Sequence, residues 1–145
     1  MELDPAQQLM ASGYNCAESV LLAACRQMGI EDALVPRLAT AFGGGMARTG
    51  EVCGAVSGAL MAIGAKCGRD EAEQSREEAY APAHRFLLAF AAEMGSIRCR
   101  DLTGIDMTTE QGMQQFHDSD VLHRVCLPAV GLAYQRTLGL LSQPM

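Results

Sequence analysis

Positive charge, long apolar segments and tryptophan are scarce in this sequence. Its 145 residues include 11 Lys and Arg against 17 Asp and Glu, for a formal net charge of −6, and no tryptophan. A protein that neutralises phosphates needs a basic surface, so we expect no nucleic-acid partner. The longest apolar runs, such as the 14 residues 52–65, fall short of the roughly 20 that span a bilayer. The opening segment MELDPAQQ has no secretory signal pattern, so we expect a cytoplasmic protein without a membrane span.

A CxxC motif is also missing, although the chain has six cysteines. Its absence argues against the commonest zinc-finger and thioredoxin-like sites, and without CxxCH no c-type haem is expected. A chain of this length buries about two thirds of its unfolded surface, so its core forms without disulfide staples. In a reducing compartment the cysteines are therefore buried thiols, metal ligands or redox centres.

Strand-forming patterns are weak, whereas Ala, Leu, Met, Glu and Gln dominate, which predicts an all-α fold. We expect one domain over residues 1–145, with five to seven helices. The predicted helices cover residues 5–11, 16–28, 31–41, 50–66, 70–94 and 108–116, with a last one from 120 or 127 to 141. Asp4 and Pro5 begin the first helix, and Pro82 is expected to kink or split the fifth.

The helix predicted over residues 50–66 is apolar on nearly all sides, as a central buried helix would be. It carries glycine at 54, 58 and 64 among alanines and a serine. Such small side chains allow another backbone to approach closely, and tight helix packing is the simplest explanation for them.

Four cysteines fall at or beside predicted helix starts. Asn15 and Glu18 form a variant capping box that places Cys16 in the first helical position. Thr49 is expected to cap the central helix, with Cys53 in or just beyond its first turn. Cys99 follows Ser96 in a short helical turn, and Cys126 precedes Pro128, which marks a helix start.

A helix N-terminus favours the thiolate over the thiol, so the pattern predicts lowered thiol pKa values at these positions. Cys53 is the expected attacking thiolate, with a pKa below that of a free thiol, and Cys16, Cys99 or Cys126 would then resolve the mixed disulfide. Cys25 and Cys67 lie too far round or along their own helices to share a site with the cysteine there. We interpret both as structural thiols.

Other polar residues give weaker signals. The loop GGGMARTG (43–50) matches neither common phosphate-binding glycine motif. Within it, Arg48 is a candidate cofactor-binding or anion-binding residue, five positions before Cys53, although a solvated arginine is equally expected. His123 would share a helix face with Cys126 as a base or ligand if that helix is continuous. His84 and His117 have no assignable partner.

The segments GYNCAESVL, GGGMARTGEVCGAVSGALMAIG and GSIRCRDLTG, followed by Cys126, resemble the C_GCAxxG_C_C family of redox-active proteins. The resemblance implies that Cys16, Cys53, Cys99 and Cys126 are the four family cysteines. It also implies that residues 53–58, CGAVSG, are the Cys-Gly-Ala-x-x-Gly motif. Genes of this family often lie near transporter genes, and the resemblance implies no particular substrate.

Three functions remain open at this point. The first is thiol/disulfide exchange or electron transfer by a thiol-dependent oxidoreductase. The second is binding of zinc or an iron–sulfur cluster by the four family thiolates. The third is a non-catalytic interaction protein associated with a transporter. We expect a homodimer, because the alanine-rich and methionine-rich helices leave apolar surface that a second copy would cover; an electron donor or a transporter component is the other expected partner.

Overall fold

A computed structural model describes residues 2–142, and this part of the chain is all-α. It contains eight right-handed α-helices rather than five to seven, because one further short helix begins at Cys99. They are α1 (Pro5–Ala11), α2 (Cys16–Gln27), α3 (Leu34–Ala39), α4 (Gly54–Cys67), α5 (Glu77–Met94), α6 (Cys99–Thr103), α7 (Glu110–Asp118) and α8 (Leu127–Leu141). A 3₁₀ turn (Thr40–Phe42) follows α3, and a π-helical segment (Leu122–Cys126) leads directly into α8. No helix in residues 2–142 combines the length and the apolarity needed to cross a bilayer.

The first two helices begin as their sequences predict. Asp4 accepts a hydrogen bond from the Gln7 backbone at 2.8 Å, and Pro5 stands in the first helical position. Asn15 and Glu18 form the expected capping box, with hydrogen bonds of 2.8 and 2.9 Å between each side chain and the other's backbone N–H. Both cap residues therefore fix the N-terminus of a helix that packs on the core.

The central helix α4 begins at Gly54, four residues later than predicted. The segment before it is extended, because Cys53 donates a backbone hydrogen bond to Ile97 at 2.7 Å and Val52 pairs with Arg98 in an antiparallel bridge. Thr49 does not cap this helix: its hydroxyl donates to the carbonyls of Gly45 and Met46. A long-range pairing thus displaces the start of the helix.

The start of α5 is also later than predicted, at Glu77 instead of residue 70. The side chain of Gln74 accepts hydrogen bonds from the backbone of Asp70 and Glu71, at 2.7 and 3.0 Å. These local bonds close a turn that competes with helix formation. The helix is not split at Pro82, which lies buried within it.

The core is built around α2 and α4, which make the most extensive helix contact in the described chain. A Cβ added at Gly58 would lie 2.5 Å from the carbonyl oxygen of Ala17, whereas one added at Gly64 would meet nothing within 4 Å. Phe86 and Phe90 of α5 and Val130 of α8 are fully buried in one core cluster with residues of α4. The expected close packing of the central helix is therefore confirmed at Gly58 and absent at Gly64.

Gly58 and Gly64 provide a matched test of this contact within one helix. Gly58→Ala should lower the free energy of unfolding by about 1–3 kcal/mol, because the added methyl overlaps the backbone of α2. Gly64→Ala should raise it by about 0.5–1 kcal/mol, since alanine favours the helix and meets no neighbour. Urea unfolding under reducing conditions measures both, and equal effects of the two substitutions would contradict the proposed packing.

Candidate functional site

A cavity of about 570 Å³ brings together all four predicted cysteines, Cys16, Cys53, Cys99 and Cys126, and also Arg48. Cys53 and Cys99 are 8% and 7% exposed, whereas Cys16 and Cys126 are partly exposed. All six cysteines of the chain are free thiols. Cys25 and Cys67 do not line the cavity, as their spacing predicted.

Cys16 lies where two helix N-termini meet. It is the first residue of α2, and Gly54, the first residue of α4, leaves room for its sulfur: a Cβ at position 54 would overlap Cys16 Sγ. The backbone N–H groups of Gly44, Ala17 and Gly54, together with its own, are close enough to lower its pKa. Burial is the larger effect, however, and the net result is a raised pKa for the Cys16 thiol.

Cys53 and Cys99 are placed next to each other by the backbone pairing before α4. Cys53 donates to the Ile97 carbonyl and Cys99 to the Glu51 carbonyl, both at 2.7 Å, on either side of the Val52–Arg98 bridge. In this register the two cysteines are diagonal neighbours on the same face, a relation that in a regular sheet separates Cα atoms by roughly 7–8 Å. The pairing explains how cysteines 46 positions apart in sequence, 53 and 99, reach one cavity.

The predicted lowering of the Cys53 pKa is wrong. Burial raises the pKa of Cys53, the nearby Cys16 raises it further, and the helical N–H groups of Ala55 and Val56 oppose this only in part. Burial likewise raises the pKa of Cys99 to about 11 and that of Cys126 to about 12, with Cys16 adding to both. A helix N-terminus lowers a thiol pKa only where water still reaches the sulfur.

Cys126 immediately precedes α8, which begins at Leu127 as the sequence predicts. The N-terminus of α8 is not free, however, because Cys126 also ends the π-helical segment Leu122–Cys126, which continues directly into α8. Pro128 has no N–H to donate to the carbonyl four residues earlier, and the Leu127 N–H bonds five residues back to Leu122. The extra residue of such a π-turn changes the direction in which side chains point.

A left-handed turn positions the other side of the site. Gly44, Gly45, Met46, Ala47 and Arg48 have φ values of +69°, +70°, +65°, +52° and +66°. Three of these residues carry a Cβ, and each costs roughly 1–2 kcal/mol in this conformation. A Cβ at Gly45 would lie 2.6 Å from the Cβ of Cys99, so the turn packs directly on that cysteine. Such strain is maintained where the surrounding structure requires it.

Arg48 extends from this turn to the cavity, and its side chain is exposed. The ion pairs found in residues 2–142 involve Arg98, Arg100, Arg124 and Arg136, and none includes Arg48. No Asp or Glu lines the cavity within the described chain. The guanidinium of Arg48 is therefore available to an anion.

Sequence reasoning missed His117 and the apolar wall of the cavity. His117 of α7 lines the cavity, whereas His123, which the sequence predicts either to share a helix face with Cys126 in a continuous helix or to lie on the surface, does not. The apolar lining includes Met10, Leu102, Met107, Met113, Phe116 and Val125. Nothing in the sequence ties residues near 107–117 to the cysteines, because their approach depends on the fold of the chain after α6.

A metal centre is not evident in this arrangement. In the part of the chain that the structure describes, no three His, Cys, Asp or Glu side chains are grouped as metal ligands. A tetrahedral zinc site needs four such ligands around one centre. Zinc or iron–sulfur binding by Cys16, Cys53, Cys99 and Cys126 stays a prediction.

The raised pKa values of the buried thiols make the stability of the fold depend on pH in the alkaline range. An unfolded thiol ionises near pH 8.5, so the free energy of unfolding should be constant below that pH and should fall as the pH rises toward 11. The unfolded chain then binds fewer protons than the folded one, with a maximum slope of about 1.4 kcal/mol per pH unit for each buried thiol. Cys126→Ala should flatten this decline between pH 9 and 10, measured by urea unfolding in reductant.

Val125→Ala is the matched control, because Val125 lines the same cavity as Cys126 and carries no ionisable group. It should leave the alkaline slope as steep as in the unsubstituted protein. Equal slopes for the Cys126→Ala variant and the unsubstituted protein would show that Cys126 is not shielded from water.

Comparison with known proteins identifies one family. Its model, described as "Putative redox-active protein (C_GCAxxG_C_C)", matches residues 14–139. No curated protein and no solved structure matches the chain. The match spans most of the sequence and contains all the cysteines of the cavity.

Proposed function

We propose that this chain, which belongs to the C_GCAxxG_C_C family of redox-active proteins, catalyses thiol/disulfide exchange with a small molecule in its cavity. The observation that supports this best is the convergence of four free cysteines on one cavity large enough for such a substrate. Free cysteines are kept reduced in the cytoplasm, so we place the reaction there.

Cys16 is the proposed attacking residue, in place of Cys53. It is partly exposed whereas Cys53 is 8% exposed, and N–H groups from α2, α4 and the left-handed turn surround its sulfur. These donors stabilise negative charge without a cationic side chain, as an oxyanion hole does. A thiolate formed at Cys16 would contact a substrate bound in the cavity.

Cys53 is the proposed resolving residue. It immediately precedes Gly54, on which the Cys16 sulfur rests, and its pKa is raised by burial and further by the proximity of Cys16. In the proposed cycle the Cys16 thiolate attacks a disulfide and releases one thiolate, leaving a mixed disulfide. Cys53 then attacks the Cys16 sulfur and releases the second. The protein dithiol loses two electrons and two protons, the external disulfide becomes two thiols, and an external dithiol restores the protein.

Mild oxidation with an aromatic disulfide, followed by non-reducing peptide mapping, tests this assignment. We expect a Cys16–Cys53 linkage, and we expect the rate of its formation to rise about tenfold per pH unit between pH 7 and 8, because burial raises the pKa of Cys16. Cys16→Ser should abolish the linkage, and Cys53→Ser should stop the reaction at the mixed disulfide.

Cys25→Ser and Cys67→Ser are the controls, since neither residue lines the cavity. Both should form the linkage at the unsubstituted rate. Peptides that join Cys53 to Cys99 instead, or oxidation confined to Cys25 and Cys67, would refute the proposed pair.

We also propose a homodimer formed through α5. Tyr80 and Leu88 are 57% and 63% exposed on its outer side, with His84 between them, and Leu60 and Leu87 line the same shallow groove. Residues four apart form a ridge on a helix surface. If the two-fold axis passes at His84, Tyr80 of one protomer packs against the partner's Leu88, and the surface is self-complementary.

Leu88→Arg should convert this dimer into a monomer, because the charge would be buried without a partner at the interface. Leu38→Arg is the matched control, since Leu38 is 61% exposed on α3. Sedimentation at micromolar concentration should show twice the chain mass for the unsubstituted protein and the control. A monomeric unsubstituted protein would disprove the association.

A further inference from the structure

The cavity joins three chemically different regions. Its deepest cysteines, Cys53 and Cys99, are almost fully buried, whereas Arg48 and His117 are exposed and therefore lie at the rim. The wall between them is formed mainly by methionine, phenylalanine, leucine and valine side chains. A volume of about 570 Å³ falls within the range of small-molecule sites.

The wall selects for an apolar ligand. Met107 is 7% exposed and belongs with Cys99 to a buried cluster, and Met113, Phe116, Val125 and Cys126 pack against that cluster. Methionine adapts its shape to aromatic and irregular ligands and makes favourable sulfur–aromatic contacts. A ligand that reaches the sulfurs therefore has an apolar, preferably aromatic, body.

The rim selects for negative charge. Arg48 is the one formally charged side chain among the described residues that line the cavity. The neighbouring polar side chains are already engaged: Asn15 bonds to Glu18 and to the Thr40 carbonyl, and the Thr40 hydroxyl donates to Glu18. In a chain with net charge −6, the described lining carries one guanidinium and no carboxylate, and the adjacent Glu18 carboxylate is already engaged by the Asn15 backbone N–H and the Thr40 hydroxyl.

The left-handed turn fixes Arg48 in this place. Its backbone has φ +66°, and a Cβ at Gly44 would lie 2.9 Å from the Arg48 Cγ, so the arginine stem lies across Gly44. Gly44 also contributes one of the N–H groups near the Cys16 sulfur. The turn thus sets the position of the rim cation relative to the reactive sulfur.

We infer that the substrate is a small disulfide, or the corresponding thiol, with an apolar aromatic body and an anionic group that pairs with Arg48. This inference rests on the proposed thiol/disulfide exchange and names its substrate class. The guanidinium fork matches a carboxylate or a phosphate. Arg48 is a binding and specificity residue here, while Cys16 and Cys53 carry the chemistry.

A thioether that cannot react separates binding from chemistry. 4-(Benzylthio)benzoate has the apolar body, a sulfur and a carboxylate, and its carboxamide lacks only the charge. Titration calorimetry with reduced, unsubstituted protein should show the acid binding about tenfold more tightly than the carboxamide. The phosphonate analogue of this thioether shows which anion the site prefers. A carboxylate site binds the benzoate more tightly, and a phosphate site binds the phosphonate more tightly.

Three arginine variants locate the effect. Arg48→Gln should weaken binding of the acid about tenfold, to the level of the carboxamide, and leave the carboxamide unchanged. Arg48→Lys should retain most of the preference for the acid. Arg76→Gln is the control, because Arg76 is exposed just before α5 and does not line the cavity; it should change neither affinity.

A kinetic experiment compares the rates at which the protein reacts with two aromatic disulfides, the anionic 5,5′-dithiobis(2-nitrobenzoate) and the neutral 4,4′-dithiodipyridine. Arg48→Gln should lower the rate ratio of the first to the second about tenfold. Equal binding of acid and carboxamide, no binding of either, or an unchanged preference in Arg48→Gln overturns the substrate class. If the thioether acid binds as expected but no Cys16–Cys53 linkage forms on oxidation, the proposed exchange is wrong and the ligand site stands.

Discussion

The close approach of α2 to α4 is the contact on which the rest of the structure depends. At Gly58 the backbone of α4 meets the Ala17 carbonyl, and at Gly54 it meets the Cys16 sulfur, so the two glycines of the Cys-Gly-Ala-x-x-Gly motif face α2 four residues apart. Without a Cβ at either position, two helix N-termini come together around one sulfur. The glycines of the motif therefore allow the two helices to pack closely and also place the Cys16 sulfur at the helix N-termini.

The second constraint is the strained left-handed turn. Its unfavourable conformation is stabilised by hydrogen bonds from the backbone of Glu51 and Gly50 to the turn carbonyls, at 2.9 and 3.2 Å, and by the contact of Gly45 with Cys99. The same segment then pairs with residues 97–99. The turn and the bridge share one short stretch of backbone. The strained conformation of the turn and the positions of Cys53 and Cys99 therefore depend on each other.

Burial and helix N-termini act in opposite directions on the thiols of this site. Backbone N–H groups lower the pKa values of Cys16 and Cys53, while removal of water raises them by more. Each thiolate would also raise the pKa of its neighbours, since like charges repel in a cavity of low polarity. The site therefore keeps its cysteines mainly as thiols, and one sulfur ionises before the others.

The amino-acid sequence predicts the helical class, the capped starts of α1 and α2, and the identity of the four cysteines, because these depend on local composition, cap residues and a family motif. The tertiary structure sets the start of α4, which yields to the pairing of residues 51–53 with 97–99, and forms the π-helical segment that carries Cys126. It also reversed the expected direction of the Cys53 pKa and brought His117 to the cavity. Desolvation and contacts between distant segments produce these features, and neither is encoded in the neighbouring residues of the chain.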